Sequence, residues 1–354
     1  MAIPAQSAPA RLSKSLGALL GVHAGDSLGA TLEFDSWRQI KKDFPNGLRD
    51  IIGGGMFRWP AGHATDDTDL TRAVLLAYHD RANQKVLNAS DDEFDVARAV
   101  ADWSLDWYEG DWPGREKGQP PRDIGGATRV GLLNYSDLRD PRKCGAGQGS
   151  AGNGSLMRCI PTGLFTHGRD ERIKESKEIS AITHDDNRCV VSCAAYNEIV
   201  AALLDGKPAQ TAVNIGIEVA LEQDHHDVAK AIERGRTMSI SRIASEGPGD
   251  ELPDRTSGYV LQSLTVAIAA LLDPRSLEDV LVDVTRIGGD TDTNGAISGG
   301  LLGARDGVEA IPGRWLSTLQ FRAEFETLAR DILDLESSPT KGLSASYKKR
   351  HGLS

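Results

Sequence analysis

Apolar residues recur along this chain at steps of three and four, the spacing that stacks side chains on one face of a helix. Phe94, Ala97, Ala101, Leu105 and Tyr108 follow it, as do Leu261, Leu264, Ala267, Ile268 and Leu271, and then Leu277, Val280, Leu281 and Val284. The strict alternation that a half-buried strand needs is scarce. Clusters of Gly and Pro at 53–55, 114–121, 145–154 and 247–253 punctuate the helical segments. The pattern predicts an all-α fold, a helical bundle with long loops. Residues 236–253 read as a loop over or beside a cleft.

The 354 residues suffice for one large domain or two modest ones. No internal segment is rich enough in Pro, Gly or Ser to divide the chain, and no repeat is evident. A single compact domain over 11–336 is therefore expected. Residues 1–10, rich in Ala, Pro and Ser, read as a disordered N-terminus. Residues 337–354, polar and carrying Lys348, Lys349 and Arg350, read as a flexible tail.

A net charge of −11 argues against binding of nucleic-acid phosphates, which requires a basic face. It leaves room for a small anion, because a bound metal reverses the local field. No run of about 18 uninterrupted apolar residues occurs, so no membrane span is expected. Arg11 and Lys14 before the apolar stretch 16–22 loosely imitate a signal peptide, but His23 and Asp26 interrupt the run. Four cysteines, Cys144, Cys159, Cys189 and Cys193, form no C-x-x-C pair. They read as small buried hydrophobes in a reducing, cytoplasmic setting.

Two acidic clusters carry the chemistry. Thr65-Asp66-Asp67-Thr68-Asp69 precedes Leu70, Ala73, Val74 and Ala77 at helical spacing. Capping and the helix dipole account for one or two acids at a helix start. Three aspartates and two threonines exceed that need, and hard divalent cations want several oxygen ligands close together. The second cluster, Gly288-Gly289-Asp290-Thr291-Asp292-Thr293-Asn294-Gly295, leads into the small-residue run 296–303, as a helix packed tightly on a neighbour would. Either cluster alone is compatible with an acidic cap. Two helix starts meeting in space would hold a pair of cations, and ions about 3.5–4 Å apart bind substrate oxygens and activate water. Asp26 and Glu33 add two acids in an otherwise apolar stretch, where an unpartnered charge is costly. Glu33 is compatible with a ligand, a general base or a surface residue at a helix end.

Taken in order, these motifs resemble the ADP-ribosylglycohydrolase family. Gly25-Asp26-x-x-Gly29 with Glu33, Thr65-Asp66-Asp67-Thr68, Gly152-Asn153-Gly154-Ser155-Leu156-Met157-Arg158, Thr183-His184 and Gly289-Asp290-Thr291-Asp292-Thr293 all match, from about residue 13 to about residue 315. The resemblance implies an all-α fold with two Mg²⁺ or Mn²⁺ ions. It assigns Thr65, Asp66 and Asp67 to one side of the metal centre and Asp290, Asp292 and Thr293 to the other. It gives Gly152, Asn153, Gly154 and Ser155 to the diphosphate and distal ribose, whose oxygens suit backbone N–H groups. His184 falls near the ribose, although a lone histidine is more often structural. Arg158 is left between a phosphate and an acidic partner, and Met157 reads as core.

Arg122-Asp123-Ile124-Gly125-Gly126-Ala127-Thr128-Arg129 resembles the D-I-G-x-x-T-R stretch of the bacterial arginine-type enzymes. Asp123 then lies by the scissile end, where a carboxylate suits a planar guanidinium. A helix cap would explain the same residue, and the charged 114–121 loop departs from the family. The resemblance implies hydrolysis of mono-ADP-ribosyl-arginine on a protein, releasing ADP-ribose, with Glu33, Asp123 and Asp292 catalytic. Direct attack by water and prior opening of the ribose ring both remain open. So do ADP-ribosyl-serine, O-acetyl-ADP-ribose or another small or protein acceptor, and an ADP-ribose-binding protein without turnover. Oligomeric state is not fixed by these features.

Overall fold

The computed structural model describes residues 7–87, 94–253, 255–338 and 342–353. The described chain is helical, joined by long loops, and its β-type pairing is confined to four isolated bridges. The three periodic segments fold as helices at Val96–Tyr108, Val260–Leu272 and Leu277–Arg286. Asp95 caps the first and Ser276 the third, each through its side-chain oxygen, as the N-cap rule anticipates.

The centre of the fold is a pair of helices in backbone contact. Ala8–Gly29 is buried from Ser15 onward and runs against Thr291–Asp306, itself almost wholly buried. Gly17, Gly21, Gly25 and Gly29 recur every four residues and form one ridge. They face Gly303, Gly299, Gly295 and the Thr291–Asp292 backbone, so the helices are antiparallel. A Cβ on Gly21 would strike the Gly299 carbonyl oxygen, and one on Gly299 would strike that of Gly21. Only hydrogen fits between the two backbones. The close fit brings the end of one helix to the start of the other.

A third helix, Asp66–Leu87, begins at the same place and is buried along most of its length. Asp26 fixes its start from outside. One Asp26 carboxylate oxygen accepts from Thr65 N at 3.1 Å, from Thr68 N at 3.3 Å and from the Thr68 hydroxyl. It satisfies donors that a helix start leaves open.

Several expected boundaries shift. The first helix begins at Ala8, inside the stretch read as disordered, with Pro9 in the first turn, where its missing N–H costs nothing. Residues 1–6 lie outside the described residues. The 337–354 tail contains a helix, Ala345–His351, docked by a nearly buried Tyr347 and by Arg350, which bonds Asp80 at 2.5 Å. Residues 236–253 hold the Ile240–Glu246 helix, whose Ala244 carbonyl accepts from the Trp37 indole at 3.0 Å. All four cysteines are free and buried. The apolar stretch 16–22 lies in the buried part of the first helix, and no described helix is long and apolar enough to cross a membrane.

Candidate active site

After Gly29 the chain turns, and a short pairing locks it to the second acidic cluster. Phe34 N donates to Gly289 O at 2.8 Å, and Gly289 N donates to Asp35 O at 2.7 Å. Gly289 has φ +81°, and a Cβ there would strike the backbone of Thr256, so glycine is required. The pairing sets Glu33 beside Asp290 and Asp292. Thr256 is the hub on the far side. Its hydroxyl donates to Gly288 O at 2.6 Å and accepts from Asp290 N at 3.1 Å and Asn294 Nδ2 at 3.0 Å.

The two acidic clusters meet directly. Asp67 Oδ2 accepts from the hydroxyls of Thr65 and Thr293, each at 3.3 Å. Thr293 N donates to Asp292 Oδ1 at 2.9 Å. Asn153 ties in the glycine loop, donating to Asp290 Oδ2 at 2.7 Å and to Ser263 Oγ at 2.9 Å.

A cavity of about 520 Å³ opens over this junction. Glu33, Asp66, Asp123, Asp290, Asp292 and Thr293 line it with acids and a hydroxyl, and Gly152, Asn153, Gly154 and His184 also line it. Thr65 and Asp67 are buried beneath it. Carboxylate oxygens of Glu33, Asp123 and Asp292 all lie within 4.8 Å of one another. Asp69 does not belong to the set, since its two oxygens accept from the Trp107 and Trp112 indoles at 2.9 and 2.8 Å.

Burial and mutual repulsion push these acids far from their ordinary range. Glu33 rises to about 9, first from burial and then from the charges of Asp123 and Asp290. Burial likewise lifts Asp123 to about 6 and Asp26 to about 7. Asp66, Asp67 and Asp292 rise well above the usual carboxylate value, again from burial first. Glu33 Oε2, Asp67 Oδ1 and Asp26 Oδ1 are buried without a hydrogen-bond partner. Native interiors seldom leave such atoms unspent. Clustered hard oxygens with unspent lone pairs are the donor set a divalent cation takes, so the residues fit a metal centre.

The glycine loop is held from behind. The imidazole of His184 lies under it, and a Cβ on Gly154 would come to 2.8 Å from His184 Cε1. His184 Nδ1 bonds the Thr183 hydroxyl at 2.8 Å. Burial, then the Arg158 charge, lowers His184 to about 3, so it is neutral. Arg158 is directed at the loop itself. It is buried, donating to Gly154 O at 3.0 Å and Thr183 Oγ1 at 2.6 Å, and so clamps the loop. Met157 is nearly buried yet reaches the cavity wall. Ser155 turns inward, its hydroxyl accepting from Ser180 Oγ at 2.8 Å, and does not line the cavity. Three contributors escaped the sequence reading: Thr256, Gly258, which lines the cavity and accepts from Asn153 N at 2.9 Å, and the capping role of Asp26. The signal for the first two was a polar Thr-Ser-Gly run just before an apolar helix.

Convergent helix starts, unspent carboxylates and a glycine wall together define an acidic hydrolase cleft on an all-α scaffold. The ADP-ribosylglycohydrolase family profile matches residues 7–341, and the chain belongs to that family. Its reaction class is hydrolysis of a glycosidic bond to ADP-ribose. The ADP-ribosyl-[dinitrogen reductase] glycohydrolase of Rhodospirillum rubrum is 27% identical over 320 residues, 90% of this chain and 94% of the relative. The ADP-ribosylarginine hydrolase Tri1 of Pseudomonas putida is 30% identical over 335 residues, 91% of this chain and 78% of the relative. The ADP-ribosylhydrolase ARH3 of Danio rerio is 27% identical over 367 residues, covering 93% and 92%. A solved ADP-ribosylglycohydrolase-related protein complex superposes with a TM-score of 0.71 at 28% identity, covering 92% of this chain and 99% of that one.

Proposed function

We propose that the protein removes ADP-ribose from mono-ADP-ribosyl-arginine on proteins, with two divalent cations, Mg²⁺ or Mn²⁺, in the acidic cleft. The observation that carries the acceptor assignment is Asp123, which lines the cavity with its carboxylate within 4.8 Å of those of Glu33 and Asp292. A patch of carboxylates suits a planar, multi-donor guanidinium. The name of the Pseudomonas relative, an ADP-ribosylarginine hydrolase, supports the same acceptor, and that of the Rhodospirillum relative supports a protein substrate.

Thr65, Asp66 and Asp67 would hold one cation, and Asp290, Asp292 and Thr293 the other. Bound cations supply Lewis acidity and lower the pKa of water. The chain's own residues do the rest. Backbone N–H groups of Gly152 and Gly154 bind the diphosphate, while Asn153 holds the loop in place, its N–H donating to Gly258 O at 2.9 Å and its amide to Asp290. His184, neutral and buried, keeps the loop in shape without adding charge. Asp123 accepts from the guanidinium and orients the N-glycosidic bond. Water adds to the anomeric carbon as the carbon–nitrogen bond breaks. Glu33, whose Oε2 has no partner in the protein, would take the water proton once bound cations offset the burial and repulsion that keep its carboxyl protonated, and would return one to the departing guanidine nitrogen.

The test is release of free ADP-ribose from a mono-ADP-ribosyl-arginine protein with Mg²⁺, then with EDTA. Release that EDTA abolishes is expected, together with a fall in Tm as the crowded carboxylates lose their counter-charge. Tight ADP-ribose binding without release would overturn the arginine assignment. Release undiminished by EDTA would overturn the metal centre.

A further inference from the structure

A hairpin at the acceptor end of the cavity exposes apolar side chains although it is rigidly built. Gly54 and Trp59 exchange both backbone hydrogen bonds at 2.8 Å. The Thr31 hydroxyl donates to Gly53 O at 3.1 Å, which ties the hairpin to the segment that carries Glu33. On the other side the Arg122 guanidinium lies 4.9 Å from the Trp59 ring centre and donates to Phe57 O at 3.3 Å. Arg122 precedes Asp123, so the hairpin is anchored to both residues that mark the scissile end. Phe34 joins the two, lining the cavity and packing on Phe57 with ring centres 6.2 Å apart.

On this scaffold Phe34 is 46% exposed, Ile52 54% and Met56 71%. A scattered exposed apolar residue is ordinary, but here Phe34 lines the cavity and Ile52 and Met56 lie in or next to the hairpin packed against it, which marks a contact surface. Phe34 also has φ +67°, a left-handed conformation in which a bulky residue is strained. Backbone bonding to Gly289 keeps it at the lip. Arg58, at the hairpin turn, is exposed and puts a cation on the edge of a chain whose net charge is −11.

We propose that this rim docks the polypeptide around the modified residue. The matching acceptor segment carries an apolar side chain for Ile52 and Met56 and a carboxylate for Arg58. Modified proteins are then preferred over modified small molecules. A small acceptor ends inside the cavity and never reaches the hairpin, whereas a polypeptide leaving past Phe34 must cross it. The inference rests on the proposed removal of ADP-ribose from a guanidinium acceptor.

The test compares ADP-ribosyl-agmatine with a mono-ADP-ribosyl-arginine protein, for the wild type, Ile52→Ser with Met56→Ser, and Arg58→Glu. The expected result is a rise of about tenfold in KM for the protein substrate in each variant, the scale of losing an interface anchor. Hydrolysis of ADP-ribosyl-agmatine stays at the wild-type rate, which also proves the variants folded. Protein and agmatine substrates affected equally, or neither affected, would overturn the docking rim. If the wild type releases ADP-ribose from neither substrate, the proposed activity itself fails, and the rim assignment falls with it.

Discussion

Replacing Asp66 and Asp290 together by alanine should lower turnover by at least about 10³-fold, while the helical CD spectrum stays unchanged. Disturbing one metal-ligand partner typically costs about 10–100-fold, and two ligands from opposite sides of one centre compound the loss. Asp66 stands at the start of the Asp66–Leu87 helix and Asp290 caps Thr291–Asp306, so each variant empties one side of the cleft. The fold should survive, because burial raises both acids, with the neighbouring carboxylates raising Asp66 further, and Asp290 is held by hydrogen bonds from Asn153 and Thr293 rather than by an ion pair. Asp290 does accept the Asn153 amide, but Ser263 retains that side chain. A thermal scan separates the outcomes. Without metal, the double variant should melt no lower than the wild type, since like charges have been removed. With Mg²⁺, only the wild type should gain stability. Turnover near the wild-type rate would refute the assignment of these acids to a shared metal centre.

Much of this site was legible because its chemistry is concentrated in short runs. The Thr65–Asp69 and Gly288–Thr293 clusters hold more oxygens than capping explains, and both start helices that converge. Asp123 was legible from its motif and does line the cavity. What was not legible depends on direction and on distant partners. Ser155 stands in the loop motif, yet its side chain turns toward Ser180, because one step along an irregular loop reverses which side faces the ligand. Arg158 gives no sequence signal for the carbonyl and the hydroxyl it bonds. Asp26 was visible as an oddity in an apolar stretch, but its task is to cap a helix that begins about 40 residues later. The tail was read as loose from polarity alone. Its anchors, Tyr347 and Arg350, meet partners far away in sequence.

The glycine ridge was half legible and carries the strongest structural prediction. The small-residue run 296–303 announced a tight contact without naming the partner. The partner was written in the same code, glycine every fourth residue from Gly17 to Gly29. Gly299→Ala should destabilise the protein by more than about 3 kcal/mol, above the ordinary cost of overpacking. The usual escape, a rotamer change in the neighbour, is closed, because the colliding atom is a backbone carbonyl oxygen. The helices must part, and parting them moves Asp290 and Asp292 away from Asp26 and Glu33. Activity should therefore fall even at temperatures where folded protein remains. Gly313→Ala is the control. A Cβ there meets nothing within 4 Å, and its backbone is outside the left-handed region. Its Tm should hold or rise slightly, since replacing glycine restricts the unfolded chain. Equal Tm values for the two variants would mean that the two helices are not in backbone contact, and the site's dependence on that contact would fall with it.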